Sequence, residues 1–199
     1  MLQKLRRCIG GVIVSSSLLL SAQVTAGPIL FDLFYEFGFF EIGTDAVGCD
    51  PADPLGAFCF PSSGTPTQFL DAPPWTFVAP TLGATLTVVD AFTSGDQFEV
   101  FDFGVSLGLT SAPLINSDCG DDPIPCLADA SMSRGIFALE AGAHSITLRP
   151  VLALEGGGSG YLQVVQQVAE PTSVALLLSG ILALYGSRRR ARRKMGVIH

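Results

Sequence analysis

Thr81-Leu82-Gly83-Ala84-Thr85-Leu86-Thr87-Val88 alternates, residue by residue, between small or polar positions and apolar ones. A period of two sets Leu82, Ala84, Leu86 and Val88 on one side of an extended chain, whereas a helix would scatter them around its circumference. The stretch predicts an antiparallel strand with one face on a core and the other toward water. Before it, Ile29, Phe31, Leu33, Tyr35, Phe37 and Phe39 occupy alternate positions, as in one long strand or a bulged pair. After it, Ile146 and Leu148, then Leu162, Val164 and Val168, repeat the pattern. Asp90 to Val100 reads as strand, turn, strand about Ser94-Gly95-Asp96, and its continuation Phe101-Asp102-Phe103-Gly104, apolar on both faces, predicts a central strand. Pro73-Pro74, Ala141-Gly142 and the Gly156-Gly157-Gly158-Ser159-Gly160 run mark turns, the last a flexible hairpin. The expectation is an all-β fold: a single antiparallel β-sandwich, jelly-roll-like, of roughly eight strands.

The two ends of the chain read differently. Lys4, Arg6 and Arg7 precede an apolar or small run from Ile9 through Ala22, and Val24-Thr25-Ala26 supplies small residues before Gly27. That order predicts a secretory signal peptide over residues 1–26, cleaved after Ala26. Leu5 and Cys8 flank Arg6-Arg7 without the rest of a twin-arginine pattern, so the Sec machinery is the expected route. Cys8 precedes the apolar run and leaves with the signal.

At the other end Glu170 and Pro171 open an apolar stretch, interrupted by Ser179 and Gly180, and Arg188, Arg189, Arg190, Arg192, Arg193 and Lys194 close it. A helix over residues 172–187 would span roughly 24 Å, somewhat less than the roughly 30 Å hydrocarbon core of a bilayer. The Arg-rich tail, 188–194, would stay on the cytoplasmic side, which places the preceding residues outside the inner membrane. The Glu-Pro pair, apolar segment and arginines resemble the PEP-CTERM sorting signal of Gram-negative bacteria, a motif also catalogued as an ice-binding-protein C-terminal domain although ice binding is not its role. Ala169 stands where that family carries its first proline. The resemblance covers residues 170–199. It implies processing by an exosortase-type enzyme, with Glu170, Pro171, Arg188, Arg189 and Arg190 as the sorting motif, then a place on the cell surface or in the extracellular matrix. More loosely, Asp90–Gly104 with Gly142–Thr147 looks like the β-sandwich exodomains that accompany such tails.

Between the ends lie 143 residues, 27–169, enough for one domain with a proper core. They hold only Arg134 and Arg149 against seventeen carboxylates, a net charge of −15. Such a body repels nucleic acid and anionic lipid, whose binding draws on Lys and Arg. Its four cysteines, Cys49, Cys59, Cys119 and Cys126, are even in number, which favours disulfides in an exported protein. Three pairings exist; the short spacings favour Cys49 with Cys59 and Cys119 with Cys126, each closing a loop rich in proline and aspartate. The zinc alternative lacks a Cys-x-x-Cys and, outside the tail, has only His144 to offer.

Candidate chemistry is sparse. His144 is in register with Ile146 and Leu148, which predicts a partly buried, hydrogen-bonded histidine at the start of a strand rather than a catalytic base. The glycine run lacks the lysine of a phosphate loop. Asp118, Asp121, Asp122 and Asp129 surround the Cys119–Cys126 loop and form a candidate calcium site, weighed against plain surface charge. Asp45, Asp50 and Asp53 make a second acidic loop around Cys49. Trp75, after Pro73-Pro74, is a candidate sugar platform, with a core position as its alternative. The expected function is that of a non-enzymatic exported surface or matrix protein associated with exopolysaccharide or biofilm. Neutral sugars or calcium-bridged contacts suit its charge. The alternative is a secreted polysaccharide hydrolase or lyase using two carboxylates.

Overall fold

The computed structural model describes residues 28–154, 156–169 and 181. The expected signal peptide (1–26) and, but for Ile181, the sorting segment (170–199) lie outside the described residues. Among those described, no helix is long and apolar enough to cross a membrane.

Among residues 28–169 the named elements follow in the order β1 (Phe34–Phe39), β2 (Val47–Gly48), β3 (Thr67–Phe69), β4 (Trp75–Ala79), β5 (Ala84–Asp90), β6 (Gln97–Asp102), β7 (Val105–Leu109), α1 (Pro123–Ala128), β8 (Arg134–Leu139), β9 (Gly142–Leu152) and β10 (Gly158–Gln166). One sheet runs β2-β1-β10-β5-β8, and the other β4-β9-β6-β7. All pairings between these strands are antiparallel except that β3 lies parallel on β1, an exception the sequence reading did not anticipate.

The alternating residues build the core. Phe37, Phe39, Leu86, Val88, Leu162 and Val164 from the first sheet share one buried cluster with Trp75, Phe77, Phe98, Val100, Ile146 and Leu148 from the second. Phe98 meets Phe37 and Phe39 edge to face at 5.3 and 5.6 Å between ring centres. At about 25 cal/mol per Å² of apolar surface removed from water, this layer is the main stabilising contribution. Close approach requires glycine at Gly160, where a Cβ would stand 2.5 Å from Phe37 Cζ and 2.8 Å from the Val89 carbonyl oxygen.

Around β1 the first sheet is covered on its other side too, and every residue of β1 is buried. Phe34, Val89 and Tyr161 point away from the sandwich core into a second cluster with Ala91, Met132 and Cys126, the last from α1. Asp122 caps α1 by accepting from the Ile124 amide at 3.0 Å, and Pro123 begins it.

Several expectations need correction. Leu82 is exposed and Gly83, with φ +87°, makes a turn, so the strand starts at Ala84. Asp32, φ +64°, bends the chain between Ile29 and β1, which breaks the expected long strand. Phe103 leaves the strand with φ +48° and is exposed in the β6–β7 turn, although β6 itself is central as expected. Val168 lies past the end of β10 and is exposed. Gly158 to Gly160 belong to β10, paired with β1, rather than to a flexible hairpin.

Candidate functional site

The Cys49–Cys59 and Cys119–Cys126 pairs are at disulfide distance, with Cα separations of 5.5 and 4.9 Å, as the spacings favoured. The first closes a loop that lies down on β1. Gly38 permits this, because a Cβ there would run into that of Ala57. The Ala57 amide then donates to the Gly48 carbonyl at 2.8 Å. Held flat in this way, the loop cannot turn its aromatic residues into the sandwich core, and Phe58 and Phe60 project outward, 5.1 Å apart and edge to face.

These rings form one side of a cavity of about 540 Å³. Phe40 stands at the β1 side and Leu154 at the β9–β10 connection, with Phe92 also lining it. Phe58 is 85 % exposed, Phe60 61 % and Phe40 59 %, values that place aromatic surface in water at the rim. Below them the lining includes Glu36 and Asp96, both buried.

Glu36 is on the outward face of β1, directly across from Tyr161 of β10. Neither of its carboxyl oxygens has a hydrogen-bond partner, nor has the Tyr161 hydroxyl. Burial, with the charge of Asp121 adding to it, pushes the Glu36 carboxyl up to about 7. Burial, and then Glu36, pushes the Tyr161 phenol above its ordinary range. Asp90 sits at the end of β5, its Oδ2 accepting from the Gly95 and Asp96 amides at 3.1 Å each. Its Oδ1 has no partner. Burial first and the neighbouring Asp96 second push its carboxyl up to about 7, against the lowering effect of those amides. Asp96 accepts from the Leu154 amide at 3.2 Å.

Among the described residues, the two arginines and His144 make their contacts away from Glu36 and Asp90. Arg149 binds Asp45 at 2.8 Å and lies over the Phe101 ring. Arg134 donates to the Leu127 carbonyl at 2.6 Å. His144, buried as expected, pairs through Nδ1 with Asp102 at 2.8 Å and through Nε2 with the Glu140 carbonyl at 2.9 Å, and stacks on Phe77.

The acidic residues of the candidate calcium loop are engaged in hydrogen bonds, some within the loop and some to the Ser63–Thr65 segment. Asp118 accepts from Gly120, Asp121 from Ser63, Asp122 from Ile124 and Thr65, and Asp129 from Ser117 and Ser131. The Ile124 amide foremost, and the Ser117 hydroxyl foremost, hold the Asp122 and Asp129 carboxyls below their usual range. The cluster of metal-ligand atoms that does come together among the described residues is Glu36 with Cys49 and Cys59, whose sulfurs are paired with each other. Asp50 and Asp53 accept from the amides of Ala52 and Leu55. Trp75 takes its core alternative: it is fully buried, its indole N–H donating to the Asp71 carbonyl at 2.7 Å, and so presents no face to a sugar.

The cavity residues escaped sequence reasoning. Phe58 and Phe60 flank a cysteine in a loop with no core of its own, and that was the available signal: aromatic residues there have nowhere to be buried. Glu36 gave none, since an acid between Tyr35 and Phe37 reads as the solvent side of a half-buried strand. Comparison of the chain with family models, with curated proteins and with solved structures finds no match.

Proposed function

We propose that the chain is a non-enzymatic exported surface or extracellular-matrix protein that associates with polysaccharide. Its sorting would follow the PEP-CTERM and exosortase route: Sec export, transient anchoring in the inner membrane by residues 172–187, then release into the exopolysaccharide or biofilm layer. The strand orders β1-β10-β5-β8 and β4-β9-β6-β7 support reading the body as a jelly roll, with β2 and β3 inserted between its first two long strands. The two closed cysteine loops and the acidic body support a place outside the cytoplasm.

The observation that carries the polysaccharide reading is the set of exposed rings, Phe40, Phe58 and Phe60, around one cavity with carboxyls beneath. Flat apolar rings stack on the C–H faces of sugars, and a few polar groups below fix orientation. A second reading, a polysaccharide hydrolase or lyase, draws on the same place: Glu36 and Asp96 border one cavity, and a carboxyl held protonated to about pH 7 is a means of keeping a general acid ready.

One experiment separates the two. The full chain in detergent is incubated with an insoluble neutral glucan, and bound protein and released reducing ends are both measured. Co-sedimentation without release, abolished by Phe58→Ala with Phe60→Ala, is the expected result. Release of reducing ends that stops with Glu36→Gln would instead favour the enzyme. A wild-type chain that stays in solution would overturn the binding reading.

A further inference from the structure

The Cys49–Cys59 link lies beside a buried acid. A Glu36 carboxyl oxygen and the two Sγ atoms stand within 4.8 Å of one another, and neither Glu36 oxygen has a hydrogen-bond partner. Metal ligands are thiolates, and these sulfurs are paired, so the cluster points to redox chemistry instead. The two sulfurs differ in access. Cys49 is 2 % exposed, whereas Cys59 is partly exposed and lines the cavity together with Phe40, Phe58 and Phe60. Cys119–Cys126 shares the asymmetry, Cys126 being fully buried and Cys119 partly exposed, but among the described residues no carboxyl joins that pair in the same way.

Thiol–disulfide exchange needs one sulfur open to attack and a second that can leave. A thiolate entering the cavity meets Cys59: its lone pair forms the new S–S bond, the Cys49–Cys59 bond breaks, and that electron pair departs on Cys49. A thiolate buried there is costly, and the proton that neutralises it stands on Glu36. Burial, then Asp121, pushes this carboxyl up to about 7, still below the roughly 8.5 of an ordinary thiol, so the transfer to Cys49 runs downhill. The products are a mixed disulfide on Cys59, a Cys49 thiol and an ionised Glu36. The other groups bearing on that charge are Tyr161 across the ladder, Asp121 before α1 and Asp96 in the same lining; Asp50 and Asp53 of the cysteine loop accept from the Ala52 and Leu55 amides. Exposed rings at the rim suit apolar neighbours of the incoming thiol. We infer that Cys49–Cys59 is a thiol–disulfide exchange site, at which Cys59 accepts a cysteine thiolate carried on an apolar polypeptide segment while Glu36 gives its proton to the departing Cys49. The reaction is stoichiometric, one covalent link per chain. It gives a non-enzymatic surface protein a means of attachment and does not rest on the polysaccharide reading.

The oxidised full chain in detergent is incubated with a short peptide whose single cysteine sits among leucines, and in parallel with glutathione. Acid quenching, alkylation and peptide mapping by mass spectrometry locate each mixed disulfide and each freed thiol, and keep any product at Cys8 apart. Rates are compared per thiolate present. At pH 6 the peptide should link to Cys59 and free Cys49, about a hundredfold faster than it opens Cys119–Cys126, the lower end of what a positioned acid supplies. Glu36→Gln should remove that lead at pH 6 and change little at pH 9, where the wild-type carboxyl is already ionised. An unchanged rate at Cys119–Cys126 in the variant reports an intact fold. Phe58→Ala, at a mostly exposed side chain, should bring the peptide down to the glutathione rate. Exchange at Cys49–Cys59 no faster than at Cys119–Cys126, linkage to Cys49 instead of Cys59, or a Glu36→Gln deficit of the same size at both pH values would overturn the exchange site. Equal wild-type rates for peptide and glutathione would keep the chemistry and overturn its assignment to an apolar polypeptide.

Discussion

Glu36 is a carboxyl held where water does not reach, with Tyr161 across the ladder and Asp121 raising its proton affinity further. Its folded-state value of about 7 lies above the ordinary 4.5, and that of Asp90 lies above 3.8. Folding thus takes up protons between about pH 4 and pH 7. Stability is fully present below the unfolded-state values, falls as pH rises through that window, and levels off above it. At about 1.4 kcal/mol per unit, the Glu36 shift corresponds to a loss of about 3 kcal/mol across the window. Glu36→Gln, neutral throughout, should therefore shrink the fall between pH 4.5 and pH 8 by roughly half and be more stable than the wild type at pH 8. Guanidinium denaturation at the two pH values reads this directly, and identical pH profiles for the two proteins would contradict it. Sequence periodicity could place Glu36 on the outward face of a strand, but it could not show that a distant loop, held by Cys49–Cys59, would cover that face.

Among the elements, legibility followed the strength of the local pattern. β5, β9 and β10 were visible because their apolar residues alternate over several positions and one face of each meets the core. β4 and β8 were missed: the former is five residues long behind two prolines, and the latter carries an exposed Ile136 that blurs its alternation. α1 is too short to show a period, yet Asp122-Pro123 is an N-cap followed by the residue most at home in a first helical turn. That helix is fixed to the outer face of the first sheet through the buried Cys126, and the Cys119–Cys126 link closes the loop leading into it. Replacing both cysteines by alanine should cost about 2.5 kcal/mol by loop-closure entropy. Loss of amide protection should concentrate in residues 119–132 while the β5–β10 ladder keeps its own. Undiminished stability, or protection lost evenly across both sheets, would show that α1 does not depend on the link.

At the scale of the whole molecule, an acidic two-sheet body lies between two terminal segments that the proposed function assigns to export. The sandwich class was legible because both of its inner faces obey the same period of two. The pocket was not, since it arises where the Cys49–Cys59 loop, the end of β1 and the β9–β10 connection meet, three places far apart in the chain. We propose that this body resides outside the cytoplasm, freed of both ends and crosslinked. The intact mass of the protein recovered from its host cells tests that claim most directly. The predicted species begins at Gly27, ends near Glu170 and is four hydrogens lighter than its reduced form; a full-length chain from Met1 to His199 with free thiols would contradict it.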